Sequence, residues 1–421
     1  MSKSELSTEP YKGVRDFYPS DWAKLSAAFS IIRGVLSRFG YEEYQASPLE
    51  PAELYESKGN EEIVNEQTFT FEDRGGRRVT IRPEMTPTLA RMVAGKRREL
   101  VFPLRWYSIP NVFRYERPQR GRLREHYQLN VDLLGLPAGE ADVEVITIAS
   151  DVLKAFGAKE SDFSIRVNSR ALLSAACKAT GYTDEEGARE YWRLLDRKAK
   201  MSKEEFEEAR KGKKDPLSVI EEGVEPGVKK EKESLLATLE TLRARGIGNV
   251  VFDPEIVRGF DYYTGVVFEV FDTDPSNNRS MFGGGRYDGL VALFGGDPIP
   301  AIGFGMGDVT LMDFLETHGH VPESATAPQV YIGTPSEKDS QAAGEFAKRL
   351  RDAGIRTFLN LTGKSLGDQI KEADKRGIPL FIAYGGNEAA SGMVKIKTLA
   401  TGNEEEVTVA EAASRITSLP S

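Results

Sequence analysis

The sequence predicts an α+β chain: a first part built on an antiparallel sheet, interrupted by a helical insertion and followed by a smaller α/β domain. Three observations carry this. Short β-like runs between Val79 and Leu134 flank a basic, turn-rich loop, as the strands of an antiparallel hairpin do. Residues 170–235 turn to Glu, Lys, Ala and Leu with few β-branched positions, the composition of helices. After a linker at Gly319–Pro328, strand-like and helix-like runs alternate afresh.

Taken in order, residues 21–40 set Trp22, Leu25, Phe29, Ile32, Val35, Leu36 and Phe39 at helical spacing and stop at Gly40, which predicts a long amphipathic helix. Tyr41–Pro48 reads as extended. Val79–Arg82, Leu104–Arg114 and His126–Leu134 read as strands, with a helix near Pro87–Ala94. Gly139–Phe156 is a helix and Phe163–Val167 a strand. The tail of the insertion, Lys211–Lys232, has the Lys, Glu, Gly and Pro content of a flexible segment. Glycine- and aromatic-rich strands resume at Val250–Phe271, Ser280–Tyr287 and Ile302–Met306, the last leading into a helix at Thr310–Thr317. Beyond the linker the order is strand Val330–Gly333, helix Ser336–Ala353, strand Arg356–Leu359, helix Ser365–Arg376, and strands Leu380–Tyr384 and Met393–Lys397. That order predicts a small, largely parallel sheet covered by helices.

A length of 421 residues accommodates two or three domains with substantial cores. The single cysteine, Cys177, excludes an internal disulfide and points to a reducing compartment. The N-terminal MSKSELSTEP lacks the apolar stretch of a signal peptide and no apolar run reaches membrane-spanning length, so a cytoplasmic protein without a membrane partner is expected. A net charge of −9 argues at first against nucleic acid, but its distribution matters more. Residues 170–235 hold 15 basic and 15 acidic side chains and residues 327–421 hold 12 of each, so the whole excess lies in the remaining segments, which also contain the Arg-rich loop. An acidic body with a local basic loop permits RNA binding.

That loop is the most informative stretch. Arg114-Tyr115-Glu116-Arg117-Pro118-Gln119-Arg120-Gly121-Arg122-Leu123-Arg124-Glu125-His126-Tyr127-Gln128 sets five arginines against two glutamates beside a turn-forming Pro and Gly. Arginine forks bind phosphate bidentately and keep their charge at any working pH, so the segment suits a nucleoside triphosphate, an RNA backbone, or both in turn. A solvated charged hairpin is the plainer alternative.

The order Phe113-Arg114-x-Glu116, basic loop, aromatic and Gln resembles motif 2 of class II aminoacyl-tRNA synthetases, and its Arg-Tyr-Glu-Arg-Pro-Gln-Arg-Gly-Arg run resembles the histidyl-tRNA synthetase family. Val257-Arg258-Gly259-Phe260-Asp261-Tyr262-Tyr263 and Gly283-Gly284-Gly285-Arg286-Tyr287-Asp288-Gly289-Leu290 resemble that family's two histidine signatures. Arg82-Pro83-Glu84-Met85-Thr86 and Gly13-Val14-Arg15-Asp16-Phe17 resemble two further family segments, and the helix and strand from Trp22 to Pro48 resemble motif 1, which forms the dimer interface. Motif 1 aside, these are five matches in the family's order, and they span most of the chain.

The resemblance implies a class II catalytic domain in two parts (1–169 and 236–320), a helical insertion (170–235) and an anticodon-binding domain (321–421). It implies activation of L-histidine by ATP with Mg²⁺, transfer to tRNA(His), and a homodimer. Arg114 would hold the α-phosphate and carboxylate, Glu116 the adenine amine, and Arg258 the α-phosphate in the role particular to this family. Glu84, Thr86 and Gln128 would meet the histidine ammonium; Asp132, Tyr263 and Tyr287 would meet the imidazole. Arg122 and His126 would complete the ATP site, and Gln119 and Arg120 would contact tRNA. A buried ion pair with Asp261 or another acid is the alternative role for Arg258. If Tyr262 and Tyr263 lie on a strand, only one faces the pocket, and the motif selects Tyr263.

Two departures stand out. His126 occupies the place of the aromatic that stacks on adenine. Motif 3 ends Gly-x-x-Arg, with the arginine on the γ-phosphate, whereas Gly307-Asp308-Val309-Thr310 ends in threonine, which leaves Arg122 or Arg124 as stand-ins. The gap sustains a second reading, a catalytically silent histidine-sensing paralogue like the regulatory subunit of ATP phosphoribosyltransferase. Other motif-like stretches fail. Lys200-Met201-Ser202-Lys203 mimics a class I loop but is better explained by Ser202 capping a helix with Glu205. Gly303-x-Gly305-x-Gly307 lacks dinucleotide spacing, and its glycines read as admitting a ligand close to the backbone. Three histidines and one cysteine, scattered along the chain, make no zinc site.

Overall fold

The computed structural model describes residues 6–56, 67–119, 121–182, 184–198, 201–210, 212–258, 262–277, 279–323 and 327–419. The chain divides into two compact units, Met1–Pro322 and Glu323–Ser421.

The first unit is built on a nine-stranded sheet. Across it run Glu42–Glu43, Leu104–Ser108, Glu125–Leu134, Ala301–Gly307, Ser280–Arg286, Val266–Asp272, Phe163–Ser169 and Val250–Phe252, with Asn111–Phe113 pairing the near end of Glu125–Leu134. The two outermost pairings are parallel and the rest antiparallel. The run expected as one strand, Leu104–Arg114, breaks at Ile109-Pro110, because Pro110 has no N–H to give the ladder.

The helix Pro19–Arg38 starts with Pro at its first position and buries Leu25, Phe29, Ile32, Val35 and Leu36, the stripe predicted from spacing. It packs with Glu140–Ala155 in the main core. Both cover the sheet and leave its other face to the site.

The insertion is helical, as expected, but its tail is not a flexible segment. Pro216–Glu222 and Pro226–Ala244 are helices: Asp215 caps the first, which ends at left-handed Gly223, and the second buries Val228, Leu235, Leu239 and Leu242. Most charged residues of these helices lie on the outer face, so composition read as disorder what periodicity marks as amphipathic. The last helix also runs to Ala244, past the expected end at 235. Ser202 and Glu205 form the capping box that displaced the class I reading.

In the second unit the strand order is Thr357–Leu359, Val330–Gly333, Leu380–Ala383, Met393–Thr398, Glu404–Thr408. The first three are parallel and the last two antiparallel, so the sheet is mixed rather than largely parallel. The overlooked final strand, Glu404-Glu405-Glu406-Val407-Thr408, is an exposed edge whose three glutamates hide it from propensity.

Candidate active site

On the strand Glu125–Leu134, Gln128, Asn130 and Asp132 share one face by the two-residue period, and all three line a pocket. The neighbouring strand faces them with Gly307, Gly305 and Gly303 in register. A Cβ on Gly303 would collide with the Asp132 carboxylate, and one on Gly305 with the Gln128 amide. These glycines therefore make room first for the pocket's own side chains.

Glu84 reaches the same pocket from the turn before the helix Thr86–Lys96, whose first residue is the lining residue Thr86. Glu84 is buried, at 3% exposure. Its Oε2 accepts from the Tyr262 hydroxyl at 3.1 Å, while Oε1 has no partner. Burial pushes its carboxyl up to about 7, against the opposing pull of Arg114 and Tyr262. Gln128 Oε1 is likewise buried without a partner. Two unsatisfied acceptors in one pocket are costly unless a donor-rich ligand fills them. Asp132 is the second buried acid; it accepts a hydrogen bond from Tyr287, and burial pushes it up to about 7.

Arg114 lines the pocket with its Nε donating to the Pro83 carbonyl at 3.0 Å. Arg258 lines it too, in the left-handed region at φ 56°. Its Nη1 pairs with Glu269 at 2.9 Å and its Nη2 donates to the Gly283 carbonyl at 3.3 Å. Burial opposes its charge, but Tyr263 and Glu269 outweigh burial and raise its pKa. Arg258 thus makes a partly buried ion pair and faces the pocket at once; Asp261 lies outside the described residues. Tyr262 and Tyr263 both line the pocket, contrary to the strand argument, because residues 262–265 precede the strand Val266–Asp272. Tyr262 and Asn130 are pocket residues that the sequence reading passed over.

Glu116, Arg122, His126 and Gln119 do not line this pocket; they lie along the hairpin whose two bases are Arg114 and Gln128. Glu116 Oε2 lies 3.5 Å from Arg122. Gln119 and Arg122 close the tip with reciprocal backbone bonds of 3.0 and 2.9 Å, and Arg120 lies outside the described residues. The His126 ring sits beside Gly307, 3.5 Å from where a Cβ on that glycine would be, an ordinary contact distance. Burial, then Arg114 and Arg15, push its imidazole down to about 3, so it is neutral.

Thr310 donates to the carbonyls of Met281 (2.7 Å) and Gly307 (3.2 Å) and offers no charge. Arg124 is committed elsewhere: it lies over the Tyr115 ring at 3.9 Å and donates to the Glu116 carbonyl and the Tyr11 hydroxyl. Arg15 is the overlooked cation. Its Nη2 donates to Asp308 Oδ2 at 2.8 Å, and Asp308 Oδ1 accepts from the Tyr127 backbone N–H, next to His126. Its signal was its place in Gly13–Phe17, read only as a resemblance. Among the described residues no cluster of three or more His, Cys, Asp or Glu could hold a metal.

The family model described as histidyl-tRNA synthetase matches residues 13–309, and that of an anticodon binding domain matches 329–419. A histidine–tRNA ligase of Leptospira biflexa is 40% identical, with 99% of each chain covered. The crystal structure of histidyl-tRNA synthetase from Nostoc superposes with a TM-score of 0.79 at 23% identity, over 98% of this chain and 99% of that one, a likeness of fold. A Bacillus halodurans structure titled as an ATP phosphoribosyltransferase regulatory subunit/histidyl-tRNA synthetase reaches 0.73 at 25% identity, over 88% and 97%. The full-length ligase match spans both units and every segment quoted above, and the chain belongs to the histidyl-tRNA synthetase family, class II aminoacyl-tRNA ligases.

Proposed function

We propose that this pocket binds L-histidine and joins its carboxylate to ATP, and that the protein then transfers the histidyl group to tRNA(His). The observation that carries the reading is the pair of buried acids, Glu84 and Asp132, in one pocket with Arg114 and Arg258. Glu84 with Gln128 and Thr86 suits an ammonium, and Asp132 with Tyr287 and Tyr263 suits an imidazole. Leaving such groups unpaired beside a wrong substrate is costly, which is how they select. In activation a histidine carboxylate oxygen bonds the α-phosphorus, the bond to the bridging oxygen breaks, and pyrophosphate departs with its electrons. Arg114 and Arg258 meet the charge that gathers on the α-phosphate.

Glu116 suits the adenine amine and neutral His126 offers its ring to the base, with Arg122 and Arg15 toward the phosphates. Mg²⁺ fits only as a passenger of ATP, held by the triphosphate, where it supplies charge neutralisation. Arg15→Ala is expected to raise the KM for ATP about tenfold and leave the KM for histidine unchanged in ATP–pyrophosphate exchange. Unchanged ATP kinetics would remove Arg15 from the site.

Gln119 is exposed at the hairpin tip and, with Arg120, suits the acceptor end of tRNA, where amide and guanidinium donors fit guanine acceptors and phosphates. Gln119→Ala should spare exchange and slow aminoacyl transfer severalfold; equal losses in both steps would put the residue on ATP. The second unit fits the anticodon, and its balanced charge favours stacking and hydrogen bonds to unstacked bases. Truncation after Pro322 should keep exchange within a few-fold and cut tRNA charging about a hundredfold or more. Undiminished charging would remove that role.

A homodimer is supported by motif 1 and by the exposure of Trp22, Leu49 and Phe71, the first on the motif 1 helix; sedimentation at working concentration tests it. Buried Cys177, with its thiol pushed up to about 12 by burial, fits a cytoplasmic setting, and no described helix is long and apolar enough to cross a membrane.

A further inference from the structure

Arg258 is a non-glycine residue in left-handed backbone, a conformation that persists only where surrounding contacts enforce it. One contact on its backbone comes from the helical insertion. Arg170 opens the first helix of that insertion and is buried, at 3% exposure. Its Nη2 donates to the backbone carbonyl of Arg258 at 2.6 Å, and its backbone N–H donates to the Gly265 carbonyl at 2.8 Å. One residue therefore bonds the backbone of both Arg258 and Gly265, on either side of Tyr262 and Tyr263 in the chain. Its guanidinium lies over the Trp192 ring at 4.3 Å, and Trp192 sits on the next helix of the insertion, Glu185–Arg197. Ser174 and Ser169 fix the helix start: the Ser174 hydroxyl donates to the Arg170 carbonyl at 2.7 Å, and Ser169 accepts from the Leu172 N–H.

We propose that Arg170 is a positioning residue for the activation step: it holds the Arg258 backbone in the conformation that aims the Arg258 guanidinium into the pocket, with Trp192 clamping Arg170 from the insertion. The insertion is then part of the active-site scaffold. This rests on the reading of Arg258 as the group that meets charge at the α-phosphate.

The test is ATP–pyrophosphate exchange on full-length Arg170→Met, Arg170→Lys, Trp192→Leu, Arg258→Ala and the double variant Arg170→Met/Arg258→Ala, with thermal melts alongside. A misplaced catalytic group loses rate without losing substrate, so Arg170→Met should lower kcat by about thirtyfold to a hundredfold with the histidine KM within threefold. Lysine keeps one donor and should recover part of the loss; Trp192→Leu should cost about threefold to tenfold. In the Arg258→Ala background Arg170→Met should add nothing, because the two act on one interaction. Losses that multiply in the double variant, or kcat and KM changing together in step with melting temperature, would overturn the proposal and leave Arg170 a folding residue. If Arg170→Met does not fold, Arg170→Lys decides: wild-type kcat overturns the proposal. Wild-type kcat in Arg258→Ala would instead bring down the reading of Arg258, and this proposal with it, whereas a normal Arg258 loss with an inert Arg170 refutes the proposal alone.

Discussion

Replacing Arg258 with alanine should lower the rate of histidyl-adenylate formation by about a thousandfold while histidine binding, read by calorimetry, stays within a few-fold. The loss is the size expected when a fixed cation aimed at developing charge is removed from a water-poor site. In the resting protein the guanidinium is occupied by Glu269 and the Gly283 carbonyl, so it contributes little to holding the substrate. Its contribution rises only as the α-phosphate gains charge, which places the loss in kcat. Removing it also strands Glu269, so Glu269→Gln in the same background separates that electrostatic penalty from lost catalysis. Comparable losses in affinity and rate would contradict the assignment.

Glu84→Gln should weaken histidine binding by about a hundredfold, since it removes the charge that an ammonium meets in a desolvated pocket. The same change should stabilise the ligand-free protein at pH 8 by a few degrees. Folding raises the Glu84 carboxyl to about 7, so its favourable contribution is fully present below the unfolded value, near 4.5, and is lost as pH rises through 7. Above pH 7 the fold carries a buried charge that Arg114 and Tyr262 only partly compensate and that the substrate would neutralise. Histidine affinity should accordingly fall as pH drops from about 8 to 6, where Glu84 and Asp132 both take up protons. An unchanged melting temperature in Glu84→Gln, or pH-independent affinity, would show that Glu84 does not carry charge in the pocket. Stability given up at a binding site is the ordinary trade between function and fold.

Much of this was legible in order along the chain. The helical stripe of Pro19–Arg38, the strand Glu125–Leu134 and its alternation of Gln128, Asn130 and Asp132 follow from period alone. The residues named for the amino acid pocket converge there from different elements: Gln128 and Asp132 from one strand, Thr86 from the start of a helix, and Glu84, Tyr263 and Tyr287 from the segments that adjoin helices and strands. What failed to read depends on contacts distant in sequence. Nothing local says that Gly303 and Gly305 clear space for Asp132 and Gln128, or that Arg170 reaches the carbonyl of Arg258, 88 residues away. Arg15 pairs with Asp308 across 293 residues, so its charge looked idle. Tyr262 was set aside by an alternation rule that holds only for strands, and the Lys211–Lys232 tail by a composition rule blind to helical periodicity.

The central claim, that this pocket activates histidine although Thr310 stands where motif 3 carries arginine, is tested most directly by ATP–pyrophosphate exchange with each of the twenty amino acids in turn. Exchange with histidine alone is the predicted result. Histidine binding in calorimetry with no exchange for any amino acid would contradict it and identify a histidine-sensing paralogue instead.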